Sequence, residues 1–201
     1  MRKDLELTIR MAKPGDAKAI REIYEPYVKN TAITFEYEVP TIEEMEHRIC
    51  NTLIRFPFLV AEKQGQILGY AYVSPFKARK AYDWAVETTI YIKQNAKGLG
   101  YGKALYHVLE GILKQQNILN MNACIAFPTD ENPYVNMDSV KFHEHMGYQL
   151  CGHFHKCGYK FNKWFDMVWM EKMIGEHETD HPEVVSIGKL EMDTECLLYN
   201  G

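Results

Sequence analysis

The chain has 201 residues, 46% of them hydrophobic and 25% charged, enough to bury a sizeable core in one domain. Its 23 Lys and Arg stand against 27 Asp and Glu, a formal net charge of -4, so no global basic field argues for nucleic acid and nothing argues for a membrane surface. No apolar run approaches a membrane span, the N-terminus MRKDLELTIR lacks a signal core, and the five cysteines include no C-x-x-C pair; together these predict a cytoplasmic protein with reduced thiols.

Leu5, Leu7, Ile9 and Met11 alternate with polar residues and predict a half-buried strand. A helix follows, with Asp16 placed to cap it and Ala17, Ile20, Ile23, Tyr24, Tyr27 and Val28 at helical spacing. After the irregular TAITFEYEVP, a capping box of Thr41 and Glu44 opens a second helix that runs toward Pro57. FLVAEKQGQILGYAYVS reads as two strands joined at Gln64 and Gly65, and WAVETTIYI as a third. A glycine-rich stretch precedes a helix through GKALYHVLEGILKQQ, then come a buried strand in NACIAF and a helix in MDSVKFHEHMG closed by Gly147. Two strand-like segments, YQLCGHFHKCGYKF and WFDMVWMEKM, end a domain placed at residues 1–175. Residues 176–201 hold seven acidic residues and one lysine, an acidic C-terminal extension readable as a mobile tail or as an added sheet edge.

The stretch NAKGLGYGKALY, Asn95 to Tyr106, carries glycines at 98, 100 and 102 ahead of the amphipathic helix. A Walker-type loop fails because Lys97 stands five before Gly102 and Ala104 follows Lys103. The dinucleotide fingerprint fails because Lys103 stands where its third glycine belongs. What remains is a strand, a turn and a helix whose first free N–H groups come from Gly98 to Gly102, a place attractive to a pyrophosphate. A tight strand-to-helix turn with no ligand is the alternative.

NAKGLG resembles the acetyl-CoA motif of the GNAT family of N-acetyltransferases, with Asn95 at the position where the motif has Gln or Arg. TFE, YVSPFKARKAYDWAVETTIYI, NMDSVKFHEHMGY and GYKFNKWFDMVWME occur in the order found in the phosphinothricin acetyltransferase branch of that family, over residues 5–175. The resemblance implies an α/β GNAT fold with a mixed central sheet, in the order strand, two helices, three strands, helix, strand, helix, two strands.

It also implies roles. Lys97, Gly98, Leu99, Gly100, Tyr101 and Gly102 would surround the pyrophosphate of acetyl-CoA, the backbone of Tyr91 and Ile92 would hold its thioester and pantetheine arm, and Asn136 would meet the cofactor. Glu87, which strand alternation turns away from the face of Val86, Thr88 and Ile90, would take the amine proton. His143 stands where many members carry a tyrosine acid, and a histidine can donate a proton near neutral pH. Phe35, Glu36, Lys77, Arg79 and Tyr82 would line the acceptor pocket, with the Arg79 guanidinium gripping an acceptor carboxylate.

CGHFHKC places Cys151, His153, His155 and Cys157 at every second residue, all ligand types. On a straight strand they would span about 20 Å, whereas zinc gathers its ligands within about 2.3 Å, so the sequence predicts no metal. The resulting reading is an N-acetyltransferase, a homodimer by resemblance, that moves acetyl from acetyl-CoA to the amine of a small amino-acid-like acceptor such as phosphinothricin, methionine sulfoximine or methionine sulfone. Another amine, such as a peptide N-terminus, and a non-catalytic CoA-binding module are the alternatives.

Overall fold

The computed structural model describes residues 7–190 and the backbone of Leu197–Leu198. Its elements are β1 (Thr8–Met11), α1 (Ala17–Asn30), α2 (Ile42–Leu53), β2 (Phe58–Lys63), β3 (Gln66–Pro75), β4 (Ala85–Ile92), α3 (Tyr101–Gln115), β5 (Asn120–Phe127), α4 (Asp138–His145), β6 (Gln149–Lys160), β7 (Lys163–Met173) and β8 (Leu197–Leu198). Leu5, the start of the alternation read from sequence, lies outside the described residues.

Local chemistry sets most boundaries. Thr41 Oγ1 accepts from the Glu44 N–H (3.1 Å) while the Thr41 N–H donates to Glu44 Oε2 (2.6 Å), the reciprocal cap that starts α2. Gln64 and Gly65 both take positive φ (54° and 72°), the left-handed pair that a tight hairpin turn requires. Asp16 stands at the head of α1 without capping it. Its carboxylate instead accepts from Arg10 (2.7 and 2.9 Å) and from the Lys13 N–H (2.7 Å), because an ion pair outcompetes a single helix amide.

The sheet runs in the order β6-β7-β5-β4-β3-β2-β1-β8, and among the described residues only β4 and β5 are parallel neighbours, joined by the α3 crossover. Alternation divides the core between the two faces. Leu59, Ala61, Val86, Met121 and Val168 pack with Leu105 and Leu109 of α3 on one side, whereas Phe58, Val60 and Tyr70 pack with Ile20, Tyr27 and Ile49 of α1 and α2 on the other.

The sheet is irregular in two places. The β4–β5 ladder ends after Ala85–Glu87 have paired with Asn120–Asn122, so the two strands part beyond Glu87. In the β6–β7 hairpin, Phe154 pairs with Met167 and Gly158 with Phe165, leaving a bulge in which Lys156 takes φ 48°. The acidic extension lies against the same core over its described part: Trp84 donates to Pro182 O (2.7 Å), Val185 N–H to Gln116 O (3.1 Å), and Ile187 is buried. The Leu197–Leu198 backbone pairs with Thr8 and Ile9.

Candidate active site

The parting of β4 and β5 opens a cleft of about 200 Å³ through the sheet. Thr88 to Tyr91 form one wall, Ala123 to Ala126 the other, α3 contributes Tyr106, α4 Ser139 and His143, the loop before α4 Asn136, and the α1–α2 loop Ile33, Thr34 and Phe35. That loop is held from below. The Lys160 ammonium, buried, donates to Val28 O, Thr31 O and Thr34 O at 2.8 to 2.9 Å, so all three of its protons are used on backbone that the loop itself leaves unpaired. Gly158 lets Phe35 in: a Cβ there would stand 2.3 Å from the Phe35 ring.

At the fork, Thr88 Oγ1 donates to Asn122 O (3.0 Å) and the Asn122 amide donates to Val86 O (3.1 Å), satisfying the backbone groups that the interrupted ladder would orphan. Lys93 N–H donates to Leu68 O (2.8 Å), so strand alternation gives Tyr91 and Thr89 to β3 and turns the backbone of Thr88, Ile90 and Ile92 to the open side.

Glu87 is the last paired residue before the cleft. Burial raises its carboxyl above the usual range and Lys77 opposes that rise. Lys77 and Asn122, the β5 partner of Glu87, line a second cavity of about 730 Å³ with Tyr82, Trp84 and Trp169. Glu87 itself lines the cleft, and its neighbours Lys77 and Asn122 line the second cavity. Cys124 in the cleft is no nucleophile, since burial and then Glu87 push its thiol up to about 12.

His143 is almost wholly buried, and burial lowers its pKa to about 4. Its Nδ1 lies 2.7 Å from Ser139 O, an obligate acceptor, so Nδ1 carries the proton and the bare Nε2 accepts from the Tyr106 hydroxyl at 2.9 Å. The reading of His143 as a proton donor near neutral pH is thereby corrected: its only proton is committed to a carbonyl, and burial keeps a second one off.

Beyond β4 the chain enters α3 through Gly98 (φ 75°) and Gly100 (φ 85°), conformations that L side chains rarely adopt, and a Cβ at either would meet open space. The first intrahelical bond runs from Ala104 N–H to Gly100 O (3.0 Å), which leaves the N–H groups of Tyr101, Gly102 and Lys103 without an intrahelical acceptor at the positive end of a 15-residue helix. The Tyr101 side chain belongs to the core, Leu99 is exposed, and Lys97 lies over the Tyr27 ring at 4.9 Å. Gly102 has a packing reason as well, since a Cβ there would press on Phe142 at 3.1 Å.

A family model described as an acetyltransferase (GNAT) domain matches residues 9–169. The chain belongs to the GNAT acetyltransferase family. A phosphinothricin N-acetyltransferase of Streptomyces viridochromogenes is 34% identical over 82% of this chain and 86% of its own. An L-methionine sulfoximine/L-methionine sulfone acetyltransferase of Salmonella typhimurium is 26% identical over 85% of this chain and 96% of its own. Among solved structures, a GNAT superfamily phosphinothricin acetyltransferase of Sinorhizobium meliloti in complex with AcCoA superposes with a TM-score of 0.78 at 30% identity, covering 95% of this chain and 98% of that one.

In this GNAT chain the fold brings Phe35, Glu87, Tyr91, Asn136 and His143 to the cleft, and Lys77 and Tyr82 to the larger cavity. It does not bring Glu36, whose carboxylate is taken by Arg48 of α2 (2.8 and 3.3 Å), and it leaves Arg79 exposed before the short turn Lys80–Tyr82, outside the residues lining that cavity. The Tyr91 ring packs among Tyr24, Tyr27 and Tyr70 and its N–H faces β3, so of the expected backbone pair Tyr91 and Ile92 only Ile92 turns its N–H to the open side, its carbonyl accepting from the Tyr27 hydroxyl (2.6 Å), while Ile90 lines the cleft. Asn136 is engaged with Asp138, accepting from its N–H (3.0 Å) and donating to its carboxylate (2.8 Å). Sequence reasoning passed over Tyr106, Asn122 and Lys160, which signal nothing locally; their roles arise from contacts across 37, 36 and 126 to 132 residues.

Proposed function

We propose that this acetyltransferase moves the acetyl group of acetyl-CoA directly to the amine of a small amino-acid-like acceptor of the phosphinothricin or methionine sulfoximine kind. The observation that carries the reading is Glu87 at the fork, reached from the cleft on one side and bordering the larger cavity through Asn122 and Lys77 on the other. Acetyl-CoA fits the cleft side, with its pyrophosphate over the free amides of Tyr101, Gly102 and Lys103 and its pantetheine along the backbone of Ile90 and the Ile92 N–H, the Ile92 carbonyl being held by Tyr27. The acceptor fits the cavity side, its carboxylate near Lys77.

In this arrangement Glu87 removes the amine proton, directly or through one water, and its raised pKa makes it a stronger base than an ordinary carboxylate. The amine attacks the thioester carbonyl, whose developing charge is met by N–H groups of the open β4 edge. Collapse expels the CoA thiolate, a fair leaving group by the ~8.5 of a free thiol, so no protein acid is required; the Tyr106 hydroxyl has its one proton on His143 Nε2 and supplies none. Homodimer formation and a cytoplasmic setting belong to the same reading. Exposed Leu150, Phe154, Tyr159 and Trp164 on β6 and β7 support an apolar contact there, and the four described cysteines are free thiols.

The test is release of CoA thiol on adding phosphinothricin, methionine sulfoximine or methionine sulfone, against the same acceptors with the carboxylate blocked as an amide. The free acids should turn over and the amides lag. Equal use of both would replace the acceptor class with amines that lack a carboxylate, and absence of CoA release from every amine tried would remove the catalytic reading.

A further inference from the structure

A straight strand would hold the ligand-type side chains of CGHFHKC too far apart for a metal, and β6 is not straight there. The bulge between Phe154 and Gly158 sets residues 155–157 opposite the single residue Asp166. Ligand atoms of His153, His155 and Asp166 consequently lie within 4.8 Å of one another. The two cysteines of the motif take no part: Cys151 bonds to Trp169 O (3.3 Å) and Cys157 to Phe154 O (3.6 Å).

The cluster is built rather than casual. Asp166 is buried, and its Oδ1 accepts from the Lys156 N–H at 2.8 Å, which fixes the carboxylate plane and leaves Oδ2 facing the histidines. His153 Nε2 lies 2.7 Å from that Oδ2, and the rings of His153 and His155 are 4.3 Å apart, with Phe127 packed against His153 at 5.0 Å. A carboxylate held by backbone on one oxygen and presented with the other is the outer support that metal sites require. Bonds of about 2.1 Å in a tetrahedron separate ligand atoms by about 3.4 Å, so binding would open the His153 Nε2–Asp166 Oδ2 contact from 2.7 Å toward that value while the exposed His155 ring turns in as the third ligand.

The geometry points to a divalent transition-metal site, of the zinc class, formed by His153, His155 and Asp166. Two imidazoles and one carboxylate suit zinc or cobalt and not calcium or magnesium, which demand oxygen ligands. The metal replaces the proton between His153 and Asp166, ties the β6 bulge to β7, and keeps its fourth position for water. Because Gly158 at the end of the bulge receives Phe35 of the cleft, the site braces the wall of the active site without entering it. This inference does not depend on the identity of the acceptor.

The experiment titrates Zn²⁺ into chelator-treated full-length protein by calorimetry, and Co²⁺ by its visible absorption, in the wild type, His153→Ala, His155→Ala and, as a control for stray surface histidines, His181→Ala. The wild type and the control should bind one equivalent, with a Co²⁺ spectrum of low-symmetry four- or five-coordination and a zinc-dependent rise in Tm. His153→Ala and His155→Ala should each weaken binding by about tenfold to a hundredfold or more. Removing the exposed His155 ring spares the Asp166 contacts that hold the bulge, so its loss of binding cannot be laid to misfolding if circular dichroism is unchanged. No saturable binding in the wild type, or a loss confined to one of the two histidines, would overturn the site.

Discussion

The Tyr106 hydroxyl donates to His143 Nε2 at 2.9 Å, and this contact decides what the histidine can do. A second proton on His143 would charge a group buried at 3% exposure, and that burial lowers its pKa from 6.5 to about 4. The unfolded chain carries no such restraint. Its histidine takes up a proton below about 6.5, so the stability contributed by the neutral form is complete above that pH and is lost as pH falls toward 4. At ~1.4 kcal/mol per tenfold change in proton affinity, the loss is roughly 3 kcal/mol. His143→Gln keeps an acceptor for Tyr106 without titrating, and urea melts between pH 7 and 4 should show a flatter decline in the variant. An unchanged slope would mean that other groups set the acid limit.

Lys77 acts on Glu87 through charge alone. It holds the Glu87 carboxyl below the value that burial by itself would give, so Lys77→Met should raise the Glu87 pKa further. The acid limb of kcat/KM should then move to higher pH while the rate at high pH changes little through Glu87. Glu87→Gln should lower kcat by about 10² to 10⁴ with acetyl-CoA affinity retained. If the acid limb is the same in wild type and Lys77→Met, the group titrating in that limb is not Glu87.

Gly100→Ala separates strain from ligand contact. At φ 85° an added Cβ costs about 1–2 kcal/mol of backbone strain even though no atom lies within 4 Å of it, and it also enters the space before the free α3 amides. Thermal melts should show that modest loss, and calorimetry should show CoA binding weakened by tenfold or more. Gly15→Ala, which also meets nothing and has no positive φ, is the control. CoA affinity equal to wild type in Gly100→Ala would place the pyrophosphate elsewhere.

Lys160→Met leaves Val28 O, Thr31 O and Thr34 O without their donor inside a buried site. The cost should be about 3 kcal/mol, the upper range for stranding buried acceptors, read as a fall in the urea midpoint. Since these carbonyls fix the loop that carries Phe35, acceptor KM should rise as well. A stable variant with unchanged KM would show that the loop is held by its other contacts.

Much of the fold was legible because its signals are local. The Thr41–Glu44 box, the Gln64–Gly65 turn, the alternation in β4 and the glycines at 98 and 100 each act through neighbours within a few residues, so the sequence alone determined the element order and the helix terminus suited to a phosphate. Glu87 was found the same way, through its place in a patterned strand. The tertiary structure decided what depends on partners far along the chain: that His143 is neutral against Tyr106, that Glu36 is spent on Arg48, that Tyr91 faces β3, and that Asp166 meets His153 and His155 across a bulge. A residue type shows what a side chain is able to do, but burial and hydrogen-bond partners fix its charge and its free atoms, and those are set by packing.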